Sequence, residues 1–323
     1  MRKKITGTFT VMAVILFITF IAYTSQIFII WPHITASTSL VQSICILAPL
    51  NLLIIMVYIH YLLTCFTHPG SVPSRYIPRQ QAYIEVKKST HTPRFCKTCN
   101  NYKPPRTHHC SICDQCVLKM DHHCPWVNNC VGYFNYCHFI RFIVCVDITS
   151  IYIFVLLCYR LNDIVQHHLH PAPPEIIFLA LNLMGLVIAI IGVGVLTCYH
   201  VYCITTNTTT IEGWEKGRSL TIKGMGRIQH VKAPYDQGIY ENIATVLGKY
   251  PFFWLLPIPM RGNGLDFPIK VGNSLHATSS TTQLNRPVSV ETFWSVNTTT
   301  TMTPLKSIAQ PQSSFVSNAT TIV

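Results

Sequence analysis

The sequence predicts an all-α polytopic membrane protein: four transmembrane helices with a cytosolic cysteine-rich zinc-binding domain between spans 2 and 3. Three observations predict it. Of 323 residues, 49% are hydrophobic and only 11% are charged, unlike an ordinary soluble domain. The excess lies in four apolar runs, Phe9–Trp31, Ser43–Phe66, Phe139–Tyr159 and Ile176–Cys203, each near or above the ~20 residues that cross hydrocarbon. Between the second and third runs, seven cysteines fall within 35 residues.

The amino terminus, residues 1–8, carries Arg2, Lys3 and Lys4. The apolar run behind it is too long for a signal-peptide core and no small-residue cleavage site follows, so it reads as a retained span. Spans 1 and 2 fill residues 9–66. The next segment, 67–138, carries nine basic residues from Arg75 to Lys119, whereas the short loops near 32–41 and 161–174 carry none. The positive-inside rule then puts both termini and the cysteine-rich segment in the cytosol. Cytosolic thiols stay reduced, so the cysteines point to metal and catalysis rather than disulfides. Spans 3 and 4 fill 139–203, a cytosolic C-terminal domain 204–271, and a disordered Ser/Thr/Asn/Gln-rich tail 272–323. The net charge of +12 is accounted for by basic residues flanking the spans, where each gains about 1 kcal/mol from anionic headgroups. No basic helix or aromatic-interleaved platform argues for nucleic acid.

The cysteine-rich segment reads Cys96-x2-Cys99-x9-His109-Cys110-x2-Cys113-x2-Cys116-x4-Asp121-His122-His123-Cys124-x5-Cys130. Two tetrahedral zinc sites need eight N or S ligands, and six of these cysteines with two histidines supply them. One cysteine remains, beside an Asp-His pair. A closed zinc site has no use for a spare thiol, so Cys124 reads as a nucleophile.

This segment resembles the cysteine-rich domain of the DHHC protein S-acyltransferases, membrane enzymes that move a long-chain acyl group from coenzyme A to protein cysteines. The resemblance implies two interleaved Cys3His zinc sites, Cys96, Cys99, His109 and Cys116 in one and Cys110, Cys113, His123 and Cys130 in the other. It implies that zinc is structural, that palmitoyl-CoA is the donor, and that the acceptors are cytosol-facing cysteines of other proteins. With His123 given to zinc, His122 is the base that takes the Cys124 proton, and Asp121 orients it. Trp126, after Pro125, is placed to pack against the thioester or acyl chain, or simply within the domain. The middle segment and the C-terminal element look closest to the fungal branch of the endoplasmic reticulum.

Three further segments bear on the resemblance. His68-Pro69-Gly70 stands where the family has Asp-Pro-Gly. Thr209-Thr210-Ile211-Glu212 is similar to the family's Thr-Thr-x-Glu, expected near the catalytic segment. Pro234 to Gly248 resembles the C-terminal element that braces the membrane domain, with Asn242 and Tyr240 as its structural residues. Phe252–Leu256 fits an interfacial segment. An extended palmitoyl chain (~20 Å) covers about two-thirds of the ~30 Å hydrocarbon core, so the spans are expected to enclose it, with Thr149 near its far end. Asp147, ionisable within span 3, is a functional candidate by default. Two other readings compete: a non-catalytic adaptor that docks partners through its zinc loop, and a zinc transporter, for which the spans lack facing His/Asp pairs.

Overall fold

The computed structural model describes residues 2–78, 83–87, 89–216, 219–224 and 227–269. The tail at 272–323 lies outside them. Four helices among the described residues are long and apolar enough to cross a bilayer. The first is composite: α1 (Arg2–Ser25) passes through a π-helical turn, Gln26–Ile30, into α2 (Trp31–Ser37). The others are α3 (Leu40–Phe66), α4 (Tyr136–Gln166) and α5 (Pro173–Thr205).

The helices outrun the apolar segments. Span 1 continues to Ser37 rather than stopping at Trp31, with Pro32 falling just past the π-helical turn, where the regular hydrogen-bond ladder is already interrupted. Only residues 38 and 39 then connect spans 1 and 2. Ser39 makes so short a link possible by starting α3 with a capping box: its Oγ accepts from the Gln42 N–H and its own N–H donates to Gln42 Oε1 at 3.0 Å. Polar side chains inside the bundle pair across helices, Asn51 Nδ2 donating to Gln26 Oε1 and Asn182 Nδ2 to Thr24 Oγ1, both at 2.9 Å. In hydrocarbon such groups must find each other.

The remaining elements are small. In chain order the strands among the described residues are β1 (Tyr83–Glu85), β2 (Phe95–Cys96), β3 (Asn101–Tyr102), β4 (His108–Cys110), β5 (Gln115–Val117), β6 (His122–Cys124), β7 (Asn129–Val131), β8 (Ser219–Gly224) and β9 (Arg227–Lys232). Helices α6 (Thr210–Lys216) and α7 (Ile239–Leu247) follow span 4. Strands β2 to β7 form three two-stranded hairpins, and β1, β8 and β9 form an antiparallel sheet in that order. Strand β1 precedes the cysteine-rich hairpins and β8 follows span 4, so their pairing puts both flanking regions on one side of the bundle. The start of span 1 meets them there: a Cβ on Gly7 would collide with the Asn128 amide.

Asn242 is fully buried and donates to the Thr205 carbonyl at the end of α5 at 2.7 Å, which satisfies one of the helix's orphan acceptors. Its expected aromatic companion is different. Tyr240 is 52% exposed, whereas Tyr235 is buried beneath Arg106, with the guanidinium carbon 4.4 Å from its ring centroid. Helix α7 turns Tyr240 outward and Asn242 inward, two residues apart, as helical spacing requires.

Candidate active site

Each of the three hairpins turns on a residue in the left-handed region, Asn100 (φ 48°), Asp114 (φ 53°) and Asn128 (φ 50°), side chains that tolerate that conformation. Each turn lies four residues past a cysteine, and Cys96, Cys110 and Cys124 stand at successive intervals of 14 residues. The chain thus repeats one knuckle three times. In the first two a second cysteine follows at the third position, Cys99 and Cys113, and its N–H points at the first sulfur, 3.5 and 3.4 Å away. In the third, Val127 takes that place. Cys124 occupies a ligand position whose partner has become valine.

The structure brings Cys96, Cys99, His109 and Cys116 together, and separately Cys110, Cys113, His123 and Cys130, each set with one ligand atom per residue within 4.8 Å of the others. His109 pairs directly with Cys116 across β4–β5, and His123 with Cys130 across β6–β7. His109 Nδ1 lies 3.6, 3.3 and 4.0 Å from the sulfurs of Cys96, Cys99 and Cys116. His123 Nδ1 lies 3.7, 3.5 and 3.5 Å from those of Cys110, Cys113 and Cys130. Tetrahedral zinc with ordinary Zn–S and Zn–N bonds separates S from N by about 3.6 Å, so both sets fit the ion without rearrangement.

Asp121 is 1% exposed and both of its carboxylate oxygens are engaged. Oδ1 accepts from the Thr210 N–H at 2.9 Å, and Oδ2 accepts from Thr210 Oγ1 and pairs with His122 Nδ1, both at 2.7 Å. Burial pushes the carboxyl upward, but the His122 contact and Thr210 outweigh it and hold it at about 2. Burial likewise works against charge on His122, yet Asp121 on one side and the Cys124 thiol on the other raise it to about 9. The arrangement therefore favours an imidazolium beside a carboxylate at neutral pH. Cys124 itself is 6% exposed and packs in the same apolar cluster as Tyr61, Val127 and Phe139.

The hairpin bearing Cys124 is fastened to span 2 by amides. Asn129 Nδ2 donates to the carbonyls of Thr64, Cys65 and Thr67 at 3.2, 3.2 and 3.0 Å, and Asn135 Nδ2 to those of Thr64 and Thr67 at 3.3 and 3.4 Å. These are the last carbonyls of α3, which lack partners within the helix. Tyr61 Oη adds a bond to the Trp126 carbonyl at 2.9 Å. His68 leaves the turn intact: its Nδ1 accepts from the Gly70 N–H at 3.1 Å.

The sequence profile of the DHHC palmitoyltransferase family matches residues 89–217, which span all three hairpins, the Asp-His-His-Cys strand and Thr209–Glu212. Palmitoyltransferase PFA4 of Mycosarcoma maydis is 38% identical over 287 residues, covering 80% of this chain and 60% of that protein. Probable protein S-acyltransferase 16 of Arabidopsis thaliana is 35% identical over 82% of this chain and 94% of its own length. Palmitoyltransferase PFA4 of Yarrowia lipolytica is 34% identical over 75% and 68%. The chain belongs to the DHHC palmitoyltransferase family.

Two residues of this DHHC protein escaped the sequence reading. Arg106, one basic residue among nine in its loop, is 1% exposed and ties the hairpins to the segment after span 4. It holds Glu212 bidentately at 2.8 and 2.9 Å, reaches Asn207 with both terminal nitrogens, and gives its N–H to Glu85 Oε2 at 3.0 Å. Glu212 and Thr210 thus have separate tasks within one motif, one anchoring Arg106 and the other Asp121. His200, buried on α5, is the other. Its ring lies 5.8 Å from that of His122 and 5.0 Å from that of Phe139, and it groups with Asp121 and His122 within 4.8 Å. Partners so far apart in sequence leave no local pattern.

An apolar cavity of about 460 Å³ runs into the bundle from Trp126. Val14 and Ala22 of α1, Val57 of α3, Phe142 and Thr149 of α4, and Leu186 of α5 are among its walls. Trp126 remains 64% exposed, so its ring stands at the mouth rather than in the core. Asp147 is not in the lining; it faces Gly194 on α5.

Proposed function

We propose that this protein transfers a long-chain acyl group, palmitoyl in the first instance, from acyl-CoA to cytosol-facing cysteines of other proteins through a thioester on Cys124. One observation carries the reading: a cysteine outside both zinc sets adjoins an imidazole held by a buried, hydrogen-bonded carboxylate, two residues before Trp126, which lines an apolar cavity. The Cys124 thiolate attacks the thioester carbon of the donor. The C–S bond to coenzyme A breaks, and the departing thiolate takes the proton that His122 holds. In the second half a substrate thiol gives its proton to His122, attacks the acyl-enzyme carbon, and restores the Cys124 thiolate. One thioester replaces another at each step, so the protein supplies thiolate and position rather than driving force.

Cys96, Cys99, His109 and Cys116 would hold one zinc ion and Cys110, Cys113, His123 and Cys130 the other. Each set gives four protein ligands, so the ions would cross-link the knuckles and leave no open position for substrate. The basic residues at the amino terminus and in the central loop support a cytosolic face for the site. The endoplasmic-reticulum membrane is the proposed location, by likeness to the fungal branch. His200 and Phe139, packed on the His122 ring, are read as positioning residues.

The test is transfer in two stages. Purified protein incubated with alkyne palmitoyl-CoA should carry a hydroxylamine-labile label that then passes to a cysteine of an added membrane-protein substrate. Protein that stays unlabelled while holding about two zinc ions would favour the adaptor reading instead.

Thr149 gives a separate expectation about chain length. It lies 7% exposed on α4, lining the cavity thirteen residues past Tyr136, or about 20 Å along the helix. Thr149→Phe should shift donor preference from palmitoyl-CoA to myristoyl-CoA or shorter, read by competition between donors in the labelling assay. Unchanged preference would place the end of the chain elsewhere.

A further inference from the structure

A second cavity, of about 740 Å³, shares no lining residue with the acyl cavity. Residues 244–250 and 258–268 form most of its wall, and Lys119 enters it from the cysteine-rich hairpins. Lys119 is only 6% exposed. Among the described residues no hydrogen bond or ion pair reaches its Nζ; the Tyr136 ring, 5.7 Å away, is its one cation-π neighbour. The nearby acids are committed elsewhere, Glu212 to Arg106 and Asp121 to Thr210 and His122. A buried ammonium without a directly bonded counter-charge is costly, and here burial, with Arg106 adding repulsion, pushes it down to about 7 against the weaker attraction of Glu212 and Asp121. An anion delivered through the cavity would supply the missing partner.

The rest of the lining agrees. Lys249 and Arg261 stand exposed on it against one acid, Asp266, while Phe253 and Phe267 make an apolar side. Phe253 belongs to a segment whose neighbour Phe252 is 90% exposed and whose backbone is held by the spans, Arg141 Nε donating to the Trp254 carbonyl at 2.7 Å and His60 Nε2 lying 2.9 Å from the Leu255 carbonyl. His60 and Arg141 each lie about one turn and a half from the ends of α3 and α4 that face the hairpins, so this segment sits at headgroup level.

We propose that this cavity binds a phosphate-bearing ligand other than the acyl donor, with Lys119 as the inner cation and Lys249 and Arg261 at the rim. The phosphate can come from an anionic phospholipid headgroup, whose glyceryl end would lie against Phe253 and Phe267, or from a soluble organic phosphate. Two probes separate the sources: dioctanoyl phosphatidic acid, and glycerol phosphate.

Binding would be measured on the full-length protein by titration calorimetry or native mass spectrometry. Lys119→Met should weaken binding at least tenfold, as expected for loss of one charge-assisted contact. The double variant Lys249→Gln, Arg261→Gln should weaken it severalfold, and remains decisive if Lys119→Met fails to fold. Phosphatidic acid that binds where glycerol phosphate does not identifies a lipid site; equal Lys119-dependent binding of both identifies a soluble phosphate. Either result supports the site. Absence of saturable binding of both probes, or binding that the variants leave unchanged, overturns it. So does complete displacement by free coenzyme A, which would assign the cavity to the donor.

Discussion

Cys124→Ser is expected to take up no hydroxylamine-labile acyl label while keeping its fold and about two bound zinc ions. The argument rests on where the sulfur sits. Cys124 belongs to neither four-residue cluster, so its replacement removes no metal ligand. It is buried in an apolar cluster, where exchange of sulfur for the slightly smaller oxygen disturbs little packing. What changes is the nucleophile. A serine hydroxyl stays protonated at neutral pH, and His122, raised to about 9 and already carrying a proton, offers it no base. Loss of the nucleophile from a site of this kind lowers turnover by on the order of 10⁵–10⁶, beyond the reach of a labelling assay. Zinc content measured on the same preparation separates loss of chemistry from loss of structure. A labelled serine variant would move the thioester to another cysteine and overturn the assignment.

Removing zinc is expected to have the second largest effect, and to abolish activity without touching a reacting atom. The hairpin strands are only two or three residues long, too short for their own pairing to hold them. Four-ligand zinc sites supply about 10–16 kcal/mol each to such folds. Strong chelation, or Cys113→Ala with its zinc count reduced from about two to one, should therefore unfold the cysteine-rich segment and stop acyl uptake together. The coupling is direct: His123, a ligand of the second set, is the neighbour of His122, and its strand partner Cys130 is a ligand of the same set. Full acyl labelling in a protein stripped of both ions would show that the hairpins hold by other means.

What the sequence made legible was whatever is written locally. Runs of apolar residues give the four spans, and a string of Cys and His at fixed intervals gives ligands enough for two zinc sites and a cysteine to spare, the grouping of those ligands resting on the family resemblance. The span ends were less legible, because a helix continues past hydrocarbon while its backbone bonds continue, as at Trp31–Ser37. Long-range partners were not legible at all. Arg106 looked like any basic loop residue until Glu212 and Asn207, more than a hundred positions away, closed on it. His200 looked like a polar residue near a span end until α5 put it beside His122. Tyr240 turned outward for a similar reason: which side of a short helix faces inward depends on what packs against it.

The amides of Asn129 and Asn135 give the hairpin bearing Cys124 a mounting different from that of its two siblings. The first ligand set joins the first two knuckles and the second set joins the second to the third; the third is in addition hung from the terminal carbonyls of span 2. The Cys124 sulfur is thereby registered to the membrane helices and not merely to the domain that carries it. A cavity that discriminates between chains by length works as a depth gauge, and a gauge needs a zero mark that does not drift. Three carbonyls at the end of one helix set that mark, so a slip of span 2 by a single turn, about 5.4 Å, would read a palmitoyl chain as one some four carbons longer or shorter.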